Sequence, residues 1–380
     1  MTAPRRENDP EFKLWIEKAK AGSMEIAIGL SGFRPNKGCE RASERTGPCP
    51  ACGGRDRFGV NMLRRKFNCR SSRGCKVKGN NALALALVGG RVGFLEACEA
   101  LALEPPPRPM RGETAKQKAE REARAADLKA RADAEEARRL KAEAEADAYR
   151  LRAAREVWDK AERHDLAPVF QYLEGKRGIN TAGLNWSVIR LAHLPLLNER
   201  KQVLHEGPVM LCAMVDADGR LVGVHRTWIG PAKDGLMSKG RPMVIDPATG
   251  ERVKTKKGLG LKKGAVIRLS RDQLVPSHRL FMGEGIETTL SVYTALRKVE
   301  SPLLSGSAFL CGIDLGNIAY SVPVPGWCRE LVLLGDGDSD PHDTREALEE
   351  CARRFRAAGA AVRIVMPPEG QDFNDMLAAA

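Results

Sequence analysis

Three acidic clusters stand near the C-terminal end of the chain: Gly283-Glu284-Gly285-Ile286-Glu287, Asp336-Gly337-Asp338-Ser339-Asp340 and Asp372-Phe373-Asn374-Asp375. Carboxylates are hard oxygen donors, and Mg²⁺ is commonly held by one or two of them, with waters and substrate phosphates completing its octahedron. The first two clusters each follow a short apolar run, Leu280 to Met282 and Leu331 to Leu334, and the first leads into a helix-like stretch, Thr288 to Arg297. Glu284, Asp336 and Asp338 are therefore expected at the carboxyl ends of strands, where open α/β sheets bind their ligands. A divalent cation held there would meet substrate phosphates. Asp372 and Asp375 would either supply a further metal or orient basic residues. Glu287, one helical turn beyond Glu284, is expected to cap or salt-link its helix.

The cysteines offer a second chemistry. Cys49-Pro50-Ala51-Cys52 is a C-x2-C knuckle, and Cys69 and Cys75 follow beyond an expected hairpin from Arg57 to Asn68. Four thiolates at this separation fit a closed tetrahedral Zn²⁺ site, with Cys39 as an alternative ligand. Cys98 lies on an apolar helical stretch and is expected in a core. Residues 38–80 also carry eleven Lys and Arg against Glu40, Glu44 and Asp56. Arg57, Arg64, Arg65 and Lys66, interleaved with Phe58 and Phe67, predict a single-stranded nucleic-acid surface on which cations meet phosphates and bases stack on rings.

These residues need elements to position them. Residues 11–32 read as one helix ending near Gly32, and a short apolar helix is expected from Ala82 to Val88. Pro105-Pro106-Pro107-Arg108-Pro109 closes a first unit, 1–110, because it cannot continue a helix. From about Glu113 to Glu162 the chain is Ala, Arg, Lys and Glu with sparse large apolar residues. That composition predicts a solvated helical linker over 111–163, spanning roughly 75 Å. A basic subdomain, 164–279, follows. In it Pro208 to Val215 and Arg220 to Ile229 form a hairpin around the turn at Asp216-Ala217-Asp218-Gly219, and Lys254 to Lys263 form a basic loop. Residues 280–380 alternate strand and helix, which predicts a mostly parallel, doubly wound sheet.

Charge and composition bound the function. The formal net charge is +13, yet residues 281–380 hold 8 Lys and Arg against 15 Asp and Glu. A basic body beside an acidic, metal-ready segment suits a polyphosphate substrate and a divalent cation. Neither an N-terminal apolar segment nor an apolar run of about 18 residues occurs, so a cytoplasmic protein without a membrane partner is expected. In that reducing compartment the ten cysteines are metal ligands or buried thiols rather than disulfides.

The motifs resemble a known family. Gly47-Pro48-Cys49-Pro50-Ala51-Cys52-Gly53-Gly54-Arg55-Asp56-Arg57-Phe58, Phe67-Asn68-Cys69-Arg70 and Phe94-Leu95-Glu96-Ala97-Cys98-Glu99-Ala100-Leu101 resemble the zinc-binding domain of DnaG-type and phage P4-like primases. Gly283 to Ser291, Asp336-Gly337-Asp338 and Gly370 to Leu377 look like the Toprim motifs of phage and mobile-element primase-like proteins. Asp218 to Arg226 is similar to the basic hairpin before Toprim in that catalytic core. The resemblance implies a multidomain α/β protein: a small zinc-ribbon-type N-terminal domain, a charged helical linker, an α+β basic subdomain and a Toprim, Rossmann-like C-terminal domain.

What the resemblance implies for activity is primer synthesis on a single-stranded DNA template. Glu284, Asp336 and Asp338 would be catalytic, and Asp372 would join them around Mg²⁺. Arg226, Lys256, Lys257, Lys262 and Lys263 would bind template or ribonucleoside triphosphates. No G-x-x-x-x-G-K-[ST] occurs, so the helicase partner is expected to be a separate chain. Two other activities use the same parts: a Toprim-type metal-dependent nuclease, and a non-catalytic single-stranded-DNA-binding replication factor. A topoisomerase is disfavoured, because neither Tyr293 nor Tyr320 has a strand-cleaving context.

Overall fold

Asp9 and Ser23 start two helices where one is expected. Asp9 accepts from the Glu11 amide at 3.0 Å, and Pro10 opens α1 (Pro10–Ala21). Ser23 accepts from the Ile26 amide and starts α2 (Met24–Ser31), which ends on left-handed Gly32, φ 69°. The break falls at Gly22, where an added Cβ would lie 2.7 Å from the Leu101 carbonyl oxygen. The computed structural model describes residues 9–40, 43–70, 75, 77–107, 114–198, 200–270, 277–337 and 341–379.

The chain forms two compact units that divide at Glu145/Ala146. In the first, β1 (Glu44–Cys49), β2 (Gly53–Asn61), β3 (Lys66–Cys69) and β4 (Lys78–Gly79) form an antiparallel sheet in sequence order. Helices α3 (Ala82–Ala86) and α4 (Phe94–Ala102) pack with α1 and α2 on a core that includes Trp15, Phe33, Phe58, Phe67 and Cys98. Helix α5 runs Ala115–Lys160. Its first part belongs to this unit, where Glu143 pairs with Arg64 at 2.8 Å. Its last turns belong to the second unit: Ala154 and Trp158 are buried in that core, so the C-terminal end of the expected solvated linker is packed.

The second unit begins its globular part with α6 (Ala167–Phe170) and a wide helical turn, Gln171–Lys176. Strands β5 (Ile189–Leu197), β6 (Val203–Val215) and β7 (Leu221–Trp228) are followed by the short hairpin β8 (Met237–Ser238) and β9 (Arg241–Pro242), then β10 (Lys256–Gly260). An antiparallel sheet runs β10-β7-β6-β5. The expected hairpin is β6–β7. The expected basic loop is corrected in part: residues 256–260 are an edge strand, with Lys256 opposite Thr227 and Lys257 opposite Arg226. Cross-strand hydrogen bonding overrides a Lys/Gly composition that by itself favours a loop.

The remaining elements are β11 (Ile267–Arg268), β12 (Arg279–Gly283), α7 (Ile286–Lys298), β13 (Ser307–Cys311), α8 (Leu315–Tyr320), β14 (Glu330–Leu334), α9 (Pro341–Ala357), β15 (Ala361–Val365) and α10 (Phe373–Ala379). Their sheet is ordered β11-β13-β12-β14-β15, parallel except for β11. Helix α7 carries the chain from β12 to β13 and α9 carries it from β14 to β15, on opposite sides of the β12/β14 pair. The topological switch point therefore lies at the carboxyl ends of β12 and β14. One continuous core joins this sheet to the antiparallel one.

Candidate active site and candidate metal centre

Glu284 follows β12 directly, and Asp336 follows β14 after one glycine. Gly283 is in register with Leu334, so both carboxylates belong to the same end of neighbouring strands, at the switch point. Both are half-buried. The loop carrying Asp336 is seated firmly: the Gly335 amide donates to the Val365 carbonyl at 2.9 Å, and the Gly370 amide to the Gly337 carbonyl at 2.9 Å. A Cβ on Gly337 would lie 2.5 Å from the carbonyl oxygens of Pro368 and Gln371, so only glycine allows this approach. Asp338, Ser339 and Asp340 lie outside the described residues. Two carboxylate donors on adjacent strand ends suit a hard divalent cation such as Mg²⁺, with substrate oxygens completing its shell.

Behind Glu284 lies a buried charge cluster that the sequence did not reveal. Glu287, expected to serve its own helix, is instead 4% exposed and pairs with Lys256 of β10 at 2.7 Å. The Tyr172 hydroxyl donates to its other oxygen. Burial alone would raise the Glu287 carboxyl, but Lys256 and Arg177 beside it hold it well below the usual carboxylate range. Burial pushes the Tyr172 phenol well up, helped by the Glu287 charge, while Arg177 and Arg241 act in the opposite sense. His225 of β7, buried and close to Lys256, is lowered to about 4 and is neutral at pH 7. The Nε atoms of Arg177, Arg226 and Arg241 are buried and find no hydrogen-bond partner.

The other basic residues singled out in the sequence divide into engaged and exposed groups. Arg226 is half-buried, donates to the Gly258 carbonyl at 3.3 Å and stands over the Trp228 ring. Lys257 donates to the Leu197 carbonyl at 2.7 Å, and Lys262 pairs with Asp314, the N-cap of α8. Lys263 is exposed. Asp372, expected around Mg²⁺, pairs with Lys239 at 2.9 Å, as does Asp375 at 2.6 Å.

In the first unit the cysteine spacing resolves into one cluster. The sulfurs of Cys49, Cys52, Cys69 and Cys75 all lie within 4.8 Å of one another, with Cys49 to Cys75 at 3.9 Å and Cys52 to Cys69 at 3.5 Å. A tetrahedral Zn²⁺ with bonds of about 2.3 Å has sulfur-to-sulfur edges of roughly 3.8 Å, so the four thiolates fit that ion. Left-handed Gly53 and Gly54, φ 74° and 89°, make the knuckle that carries Cys52 back toward Cys49. Cys39 stands apart from the cluster, its thiol donating to the carbonyls of Asn36 and Thr46 at 3.1 and 3.3 Å.

The stacking surface expected around this cluster needs correction. Phe58 and Phe67 are 0% and 3% exposed, and Phe58 meets Phe33 edge-on at 5.1 Å; they fill the core and cannot receive bases. Alternation along β2 and β3 turns these rings inward because the small unit has little else to bury. Arg65 is also turned inward and donates to the carbonyls of Lys20 and Gly22 at 3.1 and 2.6 Å. Arg64 is paired with Glu143. Lys66 is exposed and Arg57 half-exposed.

Comparison with known families meets this geometry at the parallel sheet, where residues 279–380 match the family described as Toprim domain. The C-terminal part of this chain is a Toprim domain. Residues 148–269, which hold the antiparallel sheet before it, match a family described as a domain of unknown function. No curated protein matches the chain significantly. Among solved structures, the zinc-binding and RNA polymerase domains of the Aquifex aeolicus primase match at 14% identity, with 97% of this chain and 82% of that chain covered and a TM-score of 0.34. The primase fragment of the bacteriophage T7 primase-helicase protein matches at 18% identity over 54% of this chain and 68% of that one, TM-score 0.31. A DNA primase domain from Pseudomonas aeruginosa matches at 11% identity over 60% and 74%, TM-score 0.35. These likenesses are remote, and the functional conclusion rests on the residues.

Sequence reading did not single out Tyr172, Arg177, Lys239, Arg241 or Asn374, which the structure brings together around Glu287, Asp372 and Asp375. Only Asn374 carried a local signal, its place between Asp372 and Asp375. Among the described residues no helix is long and apolar enough to cross a membrane.

Proposed function

We propose that this chain is a DNA primase that makes short RNA primers on single-stranded DNA. The observation that carries this reading is the juxtaposition of Glu284 and Asp336 at the switch point of a Toprim domain, with the Lys256 and Arg177 cations close behind at Glu287. Acid on one side and base on the other suit a nucleoside triphosphate with its divalent ion.

Glu284, Asp336 and Asp338 would hold Mg²⁺ or Mn²⁺. When bound, the ion would stabilise charge on the attacking and leaving oxygens. The reaction forms a bond from a 3′-hydroxyl oxygen to the α-phosphorus of a ribonucleoside triphosphate and breaks the bond to pyrophosphate. Glu284 would also receive the hydroxyl proton. Lys256 and Arg226 neutralise phosphate charge. The four-cysteine module, loaded with Zn²⁺, carries Arg57 and Lys66 to the template backbone, and unwinding falls to a separate replicative helicase. The site is expected to work in the cytoplasm.

A nuclease would use the same carboxylates; the joint presence of the cysteine module and the basic hairpin favours synthesis. The test is to incubate the full chain with single-stranded DNA, labelled ribonucleotides and Mg²⁺, beside an Asp336→Ala/Asp338→Ala variant. Template-dependent oligoribonucleotides that vanish in the variant are expected. Shortened DNA would assign a nuclease, and DNA retention without any product would leave a binding factor.

A further inference from the structure

Each side-chain oxygen and nitrogen of the third acidic cluster already has a partner. Asp372 Oδ1 accepts from the Asp375 amide at 2.7 Å, and Asp375 Oδ2 from the Asp372 amide at 3.2 Å. The two remaining carboxylate oxygens lie 2.9 and 2.6 Å from Lys239 Nζ. Between them Asn374 is buried: its Oδ1 accepts from Arg177 Nη1 at 3.0 Å, and its Nδ2 donates to the Arg177 carbonyl at 2.7 Å and the Ser291 hydroxyl at 3.1 Å. An ammonium thus fills the position that a metal ion would need.

What the cluster holds is equally specific. Lys239 lies in the turn between β8 and β9 at φ 48°, a left-handed conformation that a lysine adopts at some cost and keeps only when held. The next residue, Gly240, packs so closely that a Cβ there would lie 2.8 Å from Lys176 Cβ and 2.9 Å from the Tyr172 ring. Arg241 follows at once and acts, with Arg177, on Tyr172. Asp372 and Asp375, at the start of α10, therefore fix a turn that presents Arg241 beside Tyr172.

We propose that Asp372-Phe373-Asn374-Asp375 is a clamp for basic residues rather than a metal site. Asp372 and Asp375 hold Lys239, Asn374 holds the buried Arg177, and together they set half-exposed Arg241 where the phosphates of a nucleoside triphosphate meet it. The phosphate part rests on the function proposed above, while the clamp itself does not. Asp372, Asn374, Asp375 and Lys239 are positioning residues.

The test uses the full chain in four forms: wild type, Lys239→Met, Lys239→Arg and Asp372→Asn/Asp375→Asn. Hydrogen exchange over residues 237–242 should quicken about tenfold in both Lys239→Met and the double variant, and return in Lys239→Arg. The number of Mn²⁺ ions bound, counted by electron paramagnetic resonance, should be the same in wild type and the double variant. Nucleotide Kd should rise about tenfold in Lys239→Met, the scale of one charge-assisted contact, with kcat retained. Loss of one bound Mn²⁺ in the double variant, or unchanged exchange in Lys239→Met, would overturn the clamp. A wild-type chain that binds no nucleotide would instead remove the proposed function, and exchange and ion count would still decide the clamp.

Discussion

Lys256 Nζ on the edge strand of the antiparallel sheet lies 2.7 Å from a Glu287 carboxylate oxygen on the first helix of the Toprim domain. Removing one partner of such a pair leaves a buried charge alone, which costs about 3 kcal/mol. Lys256→Met should therefore lower the urea stability of the second unit by that order, while Lys256→Met/Glu287→Gln should regain most of it. Equal losses in the single and double variants would mean that the two charges are not coupled.

The four-cysteine cluster predicts about one Zn²⁺ per chain. Cys49→Ser or Cys75→Ser should bring the zinc content measured by atomic absorption close to zero and should unfold the β1 to β4 sheet, since a small unit depends on such a staple. Cys39→Ser should leave the zinc content unchanged. A fall in Cys39→Ser instead would reassign the ligand set.

Phe58 and Lys66 should separate stability from DNA binding in the first unit. Phe58→Ala empties a fully buried ring site and should cost about 3 to 5 kcal/mol in thermal or urea unfolding. Lys66→Glu, on an exposed side chain, should leave unfolding nearly unchanged and weaken single-stranded DNA binding in a salt-dependent way. If Phe58→Ala kept full stability and lost only DNA, the ring would be a stacking residue after all.

His225 predicts an acid sensitivity whose sign can be stated. Its folded value of about 4 lies below the ordinary imidazole value, so unfolding takes up a proton across the interval between them. Stability is fully present above about pH 6.5 and falls as the pH drops toward 4, by at most about 3 kcal/mol from this group. Glu287 also faces His225, with Lys256 and Arg226, and its own depressed value adds loss only at lower pH. Urea unfolding at pH 7 and pH 5 should show a smaller difference for His225→Gln than for wild type; identical differences would refute the assignment.

The amino-acid sequence alone determined the features that are local in the chain. Cys49 and Cys52 are three positions apart on one knuckle, and Glu284 and Asp336 each follow a short apolar run bounded by glycine, which reads as a buried strand. Strand and helix alternation after Arg279 was legible for the same reason, since hydrophobic period is set by neighbours. Tertiary structure decided which face each alternation covers, and so sent Phe58 and Phe67 into the core rather than to a nucleic acid. It also decided which charges meet. Lys239 and Asp372 are 133 positions apart and Arg177 and Asn374 are 197 apart, and no spacing rule reaches that far. Glu287 looks in sequence like any acidic residue in a first helical turn. Only the packing of the antiparallel sheet on the Toprim sheet buries it, gives it Lys256 and Tyr172, and turns a surface charge into the centre of a buried charge cluster.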